Sequence, residues 1–555
     1  MEPRAPSKFK FPVSQALLFI LLLPSVSAHV VSRSSKTQYM PRRSFFTVVV
    51  DCGSTGTRLT VYEWIIKGDL SDGGWPVMIN SFPDNYSNNS HWSKDGCRYH
   101  CLQTEPGLDK FVGNSSGVRV SLEPLIEWAE QWVPPERHGD TPIFVLATAG
   151  LRRLSREDAR RVLEDVEAIV KEHSFVYRKS WIRILSGKEE AYYGWVALNY
   201  KLGSFNKFTK LPTLGVLDLG GSSLQVVAEV DESKDDEHFL RSKVGFVEHQ
   251  ILAYSLPAFG LNEAFDRSVV MLSHSDALRE SVGGTFEVSH PCLGSSFVQN
   301  YTCSGCFVPT STDLGGSHSQ LQRNKLDSVL LVGDPNWEQC KVLARAAAIN
   351  SSSYDWQWLT ESSMCKTGWA SSNGSEMLNL AVTTHPVARF HALSGFYAVY
   401  TMLNLESRAN LTKIWEKGQQ ICSKSWHELN SISGNQKYAA QYCFQVPYLA
   451  SLIEDSLCLS DKEIIFGPGD VSWTMGAALV EGELLWRSSS RDETSILTRT
   501  NTGVISKSIF LLFVLVCLLF IVYHRQVKLP MPSRKKAAVG ALSLPSFVPS
   551  NLRPN

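Results

Sequence analysis

The sequence predicts an α/β protein built from two related domains, and three observations lead to that prediction. The chain has 555 residues, more than one hydrophobic core usually supports. Its composition, 43% hydrophobic and 19% charged, is that of a globular protein. Two strand-like runs each reach an aspartate and then a turn of Gly, Ser and Thr, at Asp51–Arg58 and at Asp218–Ser223. The repetition predicts a duplicated domain.

The chemistry of these two turns predicts a phosphate site with a divalent cation. Small residues let backbone N–H groups close around an anion, and hydroxyl groups add donors. An aspartate beside such a turn would repel phosphate unless a cation lay between them. One turn alone is more often an ordinary strand connection, but two similar turns favour a nucleotide phosphate chain held between them. The expected phosphate donors are Ser54, Thr55, Gly56, Gly220, Gly221 and Ser222.

Both ends of the chain indicate a membrane-anchored, secreted topology. Basic residues, an apolar run and small residues up to Ala28 predict a signal peptide or signal anchor over 1–28, followed by a stalk over 29–45. The uncharged run over 504–523 predicts a transmembrane helix, preceded by a stalk over 489–503. Basic residues in the tail, 524–555, place that tail in the cytosol, so the region between lies in a lumen or outside the cell.

Cysteines and glycosylation sequons agree with that compartment. Ten of the twelve cysteines, all except Cys52 and Cys517, are available for disulfides. Cys303 and Cys306 lack the partners of a zinc site and are expected to form a disulfide, and the pairs Cys97–Cys101 and Cys422–Cys443 are favoured. The formal net charge is zero, which gives no support for a nucleic-acid partner. Glycoprotein character is expected from sequons at Asn85, Asn88, Asn114, Asn300, Asn350, Asn373 and Asn410.

The remaining elements follow from periodicity and turn signals. A hairpin crosses the first turn, and helices are expected from Ser121 to Trp132, from Ser155 onward and from Ala191 onward. Residues 266–380 show little periodicity and are expected to decorate the second domain. Buried helices are expected over 390–405 and 441–453. Further strands are expected at 142–146 and 181–185, and a strand, loop and helix at 464–479.

Five blocks of sequence, in order and spacing, resemble the five apyrase regions of the ecto-nucleoside triphosphate diphosphohydrolases. The resemblance covers about residues 46–482 and is greatest to membrane-bound plant-type apyrases. It implies two actin-like (ribonuclease-H-like) lobes with the active site in the cleft between them. Lobe I would comprise 46–186 and 466–488, and lobe II 187–465. The blocks are Asp51–Arg58, Ala147–Arg152, Ser186–Trp195, Asp218–Gln225 and Ser472–Ala477.

The resemblance also implies roles for individual residues. Glu190 matches the family's catalytic base, although a glutamate at a helix start is in general more often a stabilising charge. Ser223 and Gln225 match residues that hold the attacking water. Asp51 and Asp218 match those that hold Ca²⁺ or Mg²⁺ through its waters. Further contacts are implied at Thr148 and Ala149, beside the terminal phosphate, and at Tyr397, beside the nucleobase.

Several positions depart from the family pattern. Cys52 and Ser222 each stand where Ala is usual, and Ala191 stands where Gly is usual. Lys188 replaces a Gln, where it would either pair with Glu189 or lower the basicity of Glu190. Phe396–Ala398 replaces a region with paired tyrosines, which implies altered nucleobase preference. Two further roles stay open: Arg58 is either a phosphate contact or a structural ion-pair partner, and Trp473 packs in the core or contacts the ligand.

The sequence therefore predicts a hydrolase that removes terminal phosphate from nucleoside tri- and diphosphates. Two alternatives stay open, a catalytically silent nucleotide-binding membrane protein and an actin-like kinase. The expected location is the Golgi or the plasma membrane, as a single-pass protein with a luminal or extracellular catalytic region. Oligomeric state, the preferred base and the preference between tri- and diphosphate do not follow from the sequence.

Overall fold

The structure is a computed structural model, and all the residues it describes belong to one compact unit within 1–482. The predicted signal segment, both stalks, the predicted membrane span and the pair Cys97–Cys101 lie outside the described residues. The described ranges are 44–66, 75–83, 102–205, 211–230, 238–244, 247–275, 278–280, 286–308, 324–350, 389–408, 410–425, 427–428 and 439–482.

The first sheet is built around the hairpin of the first turn. Strands β1 (Ser44–Cys52) and β2 (Thr57–Ile65) pair antiparallel, so that Asp51 lies opposite Arg58. On its other side, β1 pairs in parallel with β5 (Ile143–Ala147). Valine and isoleucine side chains of this sheet pack against two long helices, α1 and α3. We call this sheet with its helices lobe I. Its elements are β1 Ser44–Cys52, β2 Thr57–Ile65, β3 Val77–Phe82, β4 Gln103–Thr104, α1 Ser115–Trp132, β5 Ile143–Ala147, α2 Ala149–Arg152, α3 Arg156–Val170 and β6 Ile182–Ile184.

The second sheet repeats the plan of the first. Its order is β16-β15-β7-β8-β10-β9, and the first sheet runs β6-β5-β1-β2-β3 in the same sense. In each sheet a hairpin (β1–β2 or β7–β8) is flanked by parallel strands on the side of its first strand. We call the second sheet and its surroundings lobe II. Its elements are α4 Gly187–Lys201, β7 Gly215–Leu219, β8 Ser223–Glu229, β9 Phe239–Val244, β10 Val247–Pro257, α5 Leu261–Ser273, β15 Arg389–Ser394, α7 Gly395–Thr401, α8 Leu411–Cys422, α9 Tyr442–Ser451 and β16 Glu463–Phe466.

A third sheet lies in the region expected only to decorate lobe II. It has the order β11-β12-β14-β13, and helix α6 follows it. Disulfides join Cys303 to Cys306 and Cys422 to Cys443, as predicted, and also Cys292 to Cys340. Sequence reasoning missed this sheet because little periodicity was recognised over residues 266–380. Its elements are β11 Leu278–Glu280, β12 Phe286–His290, β13 Val298–Val308, β14 Asn324–Gly333 and α6 Trp337–Ala348.

Three predicted boundaries are corrected by the structure. Residues 390–405 are not one helix, because 389–394 form β15, which pairs in parallel with β7 and β16. Helix α1 begins six residues before Ser121, where the Asn114 side chain caps the Gly117 N–H. Helix α4 begins at Gly187 rather than Ala191. A last helix, α10 (473–482), follows β16 as predicted.

None of the helices within the described ranges combines the length and the apolar character that a membrane-spanning helix requires.

Candidate active site

The first phosphate loop is a tight turn between β1 and β2. The Gly53 N–H donates to the Gly56 carbonyl at 3.0 Å, which closes the turn. The Asp51 carboxylate is buried beneath it and accepts from Arg58 Nη1 at 3.1 Å. Arg58 Nη2 also donates to Thr55 Oγ1 at 3.1 Å. Arg58 is therefore an ion-pair partner that braces this loop.

The second phosphate loop is held by the start of helix α5. The Gly220 N–H donates to the Ser223 carbonyl at 2.9 Å, which closes the turn between β7 and β8. The first two N–H groups of α5, those of Leu261 and Asn262, donate to the carbonyls of Gly220 and Gly221 at 3.0 and 2.9 Å. Helix-terminal N–H groups otherwise lack partners, so this arrangement satisfies α5 and turns the loop carbonyls toward the helix.

The two loops meet and present unpaired donors. Ser222 Oγ lies 2.9 Å from Ser54 Oγ, across the boundary between the lobes. Within the described ranges, no acceptor pairs with the backbone N–H groups of Ser54, Thr55, Gly56, Gly221 and Ser222. Such groups, clustered at two facing turns, are suited to bind phosphate oxygens.

The pair Thr148 and Ala149 lies against the first loop. The Thr148 N–H donates to the Cys52 carbonyl at 3.1 Å, and Ala149 opens the short helix α2. The next residue, Gly150, packs closely against this loop, because a Cβ there would stand 3.0 Å from Ser54 Cα. Thr148 and Ala149, which were predicted to lie beside the terminal phosphate, are thus brought next to the first phosphate loop.

Glu190 lies in the first turn of α4 with its carboxyl group buried. Arg152 Nη2 donates to Glu190 Oε2 at 2.8 Å, and Arg152 Nη1 donates to the Leu185 carbonyl at 3.1 Å. Burial raises the pKa of Glu190 to about 7, and the charges of Asp51 and Asp218 add to this while Arg152 opposes it. A carboxyl group with a pKa near neutrality is well suited to exchange a proton with water.

Glu189, the adjacent acid, has a different role. It completes a capping box with Ser186, and its carboxylate accepts from Arg183 Nη1 at 2.7 Å. Lys188 Nζ donates to the Phe239 carbonyl at 2.9 Å, in strand β9.

Ser223 and Gln225 form a buried polar pair on β8. Gln225 Nε2 donates to Ser223 Oγ at 2.7 Å and to Ser255 Oγ at 3.2 Å. Helix α4 approaches the same place, because a Cβ on Gly187 would stand 2.3 Å from Ser255 Cβ. The start of the helix that carries Glu190 is thus packed against the strand neighbour of Gln225.

Tyr397 lies in the first turn of α7, the helix that follows β15. Its ring lies against Gly467, where a Cβ would be 3.1 Å from two ring carbons. The ring is half-buried, whereas the preceding Phe396 is fully buried in the core of lobe II. This leaves Tyr397 as the accessible aromatic of the segment.

Asp51 and Asp218 are suited to hold a divalent cation. Burial raises the pKa of both carboxyl groups, and the charge of Asp51 raises that of Asp218 further. Asp51 Oδ1 is buried and has no hydrogen-bond partner among the described residues. A buried carboxylate oxygen without a hydrogen-bond partner is the kind of oxygen donor that a divalent cation takes, so these two aspartates fit such an ion.

Two residues of the site were missed by sequence reasoning. Arg152 closes the second apyrase-like block, but nothing local shows that it reaches Glu190, 38 residues away. Ser394 hydrogen-bonds Asp218 and lowers its pKa, from a position in β15 that the sequence indicated as helical. The available signal was position alone: Ser394 is the last residue of β15, and Arg152 ends the short helix α2 that follows β5.

Comparisons with known proteins show the family to which the chain belongs. The GDA1/CD39 (nucleoside phosphatase) family profile matches residues 37–486. Probable apyrase 7 of Arabidopsis thaliana is 38% identical over 84% of this chain, a match that spans 60% of that protein's length. The nucleoside-diphosphatase mig-23 of Caenorhabditis elegans is 25% identical, over 93% of this chain and 92% of its own. Ectonucleoside triphosphate diphosphohydrolase 1 of Bos taurus is 26% identical, over 86% and 90%.

Among solved structures, the fold resembles that of a nucleoside triphosphate hydrolase from Neospora caninum. The TM-score is 0.53 at 14% identity, over 81% of this chain and 94% of that one. At this identity the likeness concerns the fold alone.

Proposed function

The chain belongs to the GDA1/CD39 nucleoside phosphatase family, and we propose that it hydrolyses the terminal phosphate of nucleoside tri- and diphosphates. The observation that carries the proposal is a buried Glu190 that Arg152 holds in place, close enough to Asp51 and Asp218 for their charges to help raise its pKa to about 7. The names of the relatives, apyrase and nucleoside diphosphatase, support the same reaction class.

In the proposed reaction, a water oxygen attacks the terminal phosphorus and Glu190 takes the water's proton. The bond from that phosphorus to the bridging oxygen breaks, and the shortened nucleotide leaves with the bridging oxygen and its electron pair. Ser223 and Gln225 hold this water, and Arg152 keeps the carboxyl group of Glu190 oriented and partly ionised. The free N–H groups of the two loops, with Thr148 and Ala149, bind the phosphate oxygens where negative charge accumulates. A divalent cation near Asp51 and Asp218, when bound, supplies positive charge to the same oxygens. Tyr397 would contact the base.

The setting proposed for this reaction is the luminal or extracellular side of a membrane. The apolar run over 504–523 and the basic tail support a single-pass anchor, at the Golgi or plasma membrane. The disulfides in lobe II support an oxidising compartment. N-glycosylation would follow from the same location.

A phosphate-release assay on the full-length protein tests the activity. Nucleoside di- and triphosphates are assayed with Ca²⁺, with Mg²⁺ and with chelator. We expect release with either cation and none with chelator. Glu190→Gln should lower kcat by about 10²- to 10⁴-fold, the usual worth of a general base. Glu157→Gln, the same change on the exposed face of α3, is the matched control and should leave kcat unchanged.

The assay also separates the two alternatives. A silent nucleotide-binding protein would bind the nucleotides without releasing phosphate. A kinase would turn over only when an acceptor alcohol or carboxylate is added. Full activity in Glu190→Gln would remove Glu190 from the base position while leaving the reaction class intact.

A further inference from the structure

A chain of polar contacts crosses from lobe I to lobe II at the phosphate loops. Arg153 follows helix α2, one turn after Thr148, and its guanidinium forms an ion pair with Glu263 on α5. The same Glu263 oxygen, Oε1, lies 3.2 Å from Ser222 Oγ. Ser222 Oγ in turn lies 2.9 Å from Ser54 Oγ. The contacts therefore connect an exposed ion pair to the point where the two loops meet.

Ser222 has one proton and two acceptors within reach. Its hydroxyl can donate to Ser54 or to Glu263, but not to both at once. A carboxylate without a cation would hold this proton strongly, because hydrogen bonds to charged acceptors are about twice as strong as neutral ones. Ser222 would then present only lone pairs to an entering phosphate. With Arg153 beside Glu263, the carboxylate is neutralised and the proton is available to the phosphate.

Arg153 also faces a second acid. Asp266 lies one helical turn after Glu263, and the Tyr301 hydroxyl donates to its carboxylate. Burial raises the pKa of Asp266 to about 6, the charge of Glu263 adds to this, and Arg153 opposes it. Without Arg153, therefore, neither Glu263 nor Asp266 would have this neutralising charge. Repulsion from Glu263, which reaches Ser222 of the second phosphate loop, would weaken the binding of a phosphate chain.

We propose that Arg153 and Glu263 form an inter-lobe pair that positions the Ser222 hydroxyl as a phosphate donor. This rests on the proposed function and adds two positioning residues to it. The pair acts on nucleotide affinity and leaves the chemical step alone, since neither residue contacts Glu190 or Gln225 among the described interactions.

Three variants of the full-length protein test the proposal: Arg153→Gln, Glu263→Gln and the double variant. KM and kcat are measured for a nucleoside diphosphate, and equilibrium binding is measured in a Glu190→Gln background, where turnover is suppressed. We expect Arg153→Gln to raise KM and Kd about two- to fivefold, the range of a half-exposed ion pair, with kcat within twofold. The double variant should return KM and Kd to near the wild-type values, because the unpaired carboxylate is gone.

The dependence of KM and Kd on ionic strength supplies an independent readout. The variant Arg161→Gln supplies a matched control. The defect of Arg153→Gln should shrink as ionic strength rises, because screening weakens the repulsion between Glu263 and phosphate. Arg161 forms a similarly exposed pair with Glu157 on α3, and its loss should change neither KM nor Kd.

Two results would refute the role proposed for the Arg153–Glu263 pair without affecting the proposed activity. One is a double variant whose KM and Kd are as high as those of Arg153→Gln. The other is an Arg153→Gln variant with lower kcat and unchanged KM. If the wild type binds nucleotide but releases no phosphate, the proposed function fails while the binding arm still decides the role of the pair. Absence of any nucleotide binding would overturn both.

Discussion

Replacing Arg152 with glutamine should move the pH profile of the enzyme and leave its upper limit nearly intact. Arg152 Nη2 lies 2.8 Å from Glu190 Oε2 and is the charge that opposes the raised pKa of that carboxyl group. An opposite charge at this range lowers a carboxyl pKa by about 1–3 units, and we take the lower half, about 1–2 units, because Arg152 is partly exposed. The pKa of Glu190 should therefore rise above its wild-type value of about 7.

The effect on rate follows from the ionised fraction of Glu190. With a pKa of about 7, about half of Glu190 is ionised at pH 7 in the wild type. A rise of about 1–2 units leaves roughly a tenth to a hundredth ionised, so kcat/KM at pH 7 should fall about 5- to 50-fold. The loss should disappear as the pH rises past the new pKa. Bound cation lowers the pKa in both proteins, so they are compared at one cation concentration.

The assay is phosphate release from a nucleoside diphosphate between pH 6 and pH 10. Arg160→Gln, the same change in exposed ion pairs on α3, is the control and should leave the profile in place. A loss of equal size at every pH would mean that Arg152 acts through its bond to the Leu185 carbonyl, and would refute the electrostatic argument. An unchanged profile would refute it too.

Three further predictions concern stability and loop shape. The pKa of Glu190 is raised to about 7 in the folded protein, so its carboxyl group stabilises the fold when it is protonated. This contribution is complete below the ordinary pKa of glutamate and is lost as the pH rises through 7. In chelator, Glu190→Gln should therefore stabilise the protein at pH 8 by up to about 3 kcal/mol and not at pH 4, and equal thermal midpoints at pH 8 would contradict this. Gly107→Ala would place a Cβ 2.5–2.7 Å from two carbonyl oxygens of the first phosphate loop. KM should therefore rise, and the free energy of unfolding should fall by about 1–3 kcal/mol. Gly139 has open space around it, so Gly139→Ala should change neither quantity. Cys52→Ala should lower the free energy of unfolding by about 1 kcal/mol and leave kcat nearly unchanged. The native thiol should resist alkylation, because burial raises its pKa. A large change in kcat would show that the loop depends on this side chain.

Local signals were sufficient to predict the centre of both lobes. The strands before Asp51 and Asp218 are buried apolar runs that stop at a glycine-rich turn, and such runs are recognisable without tertiary information. The family resemblance identified Glu190 rather than Glu189, and the structure places Glu190 toward the two aspartates. The family assignment and the hydrolase class are confirmed by the comparisons.

What could not be predicted depends on contacts between distant segments. Strand β15 resembles a buried helix in sequence, because a strand covered on both faces shows no alternation. The ion pair of Arg152 with Glu190 and the contact of Ser394 with Asp218 exist only because parallel strands bring their carboxyl ends to one edge. The roles of individual site residues and the lobe boundaries stay predictions.

The neighbouring acids at the start of α4 have a consequence for how this segment can evolve. Glu189 is tied to the cap of its own helix, and Glu190, about 100° further around the helix, is buried against Arg152. Deletion of Gly187 or Lys188 would bring Glu190 to the capping position and Ala191 to the position that Glu190 now holds. Such a deletion would keep the helix cap but remove the carboxyl group from the site, and the protein would fold without activity. Homologues with a one-residue deletion here should therefore be suspected of lost catalysis even when all five blocks are recognisable.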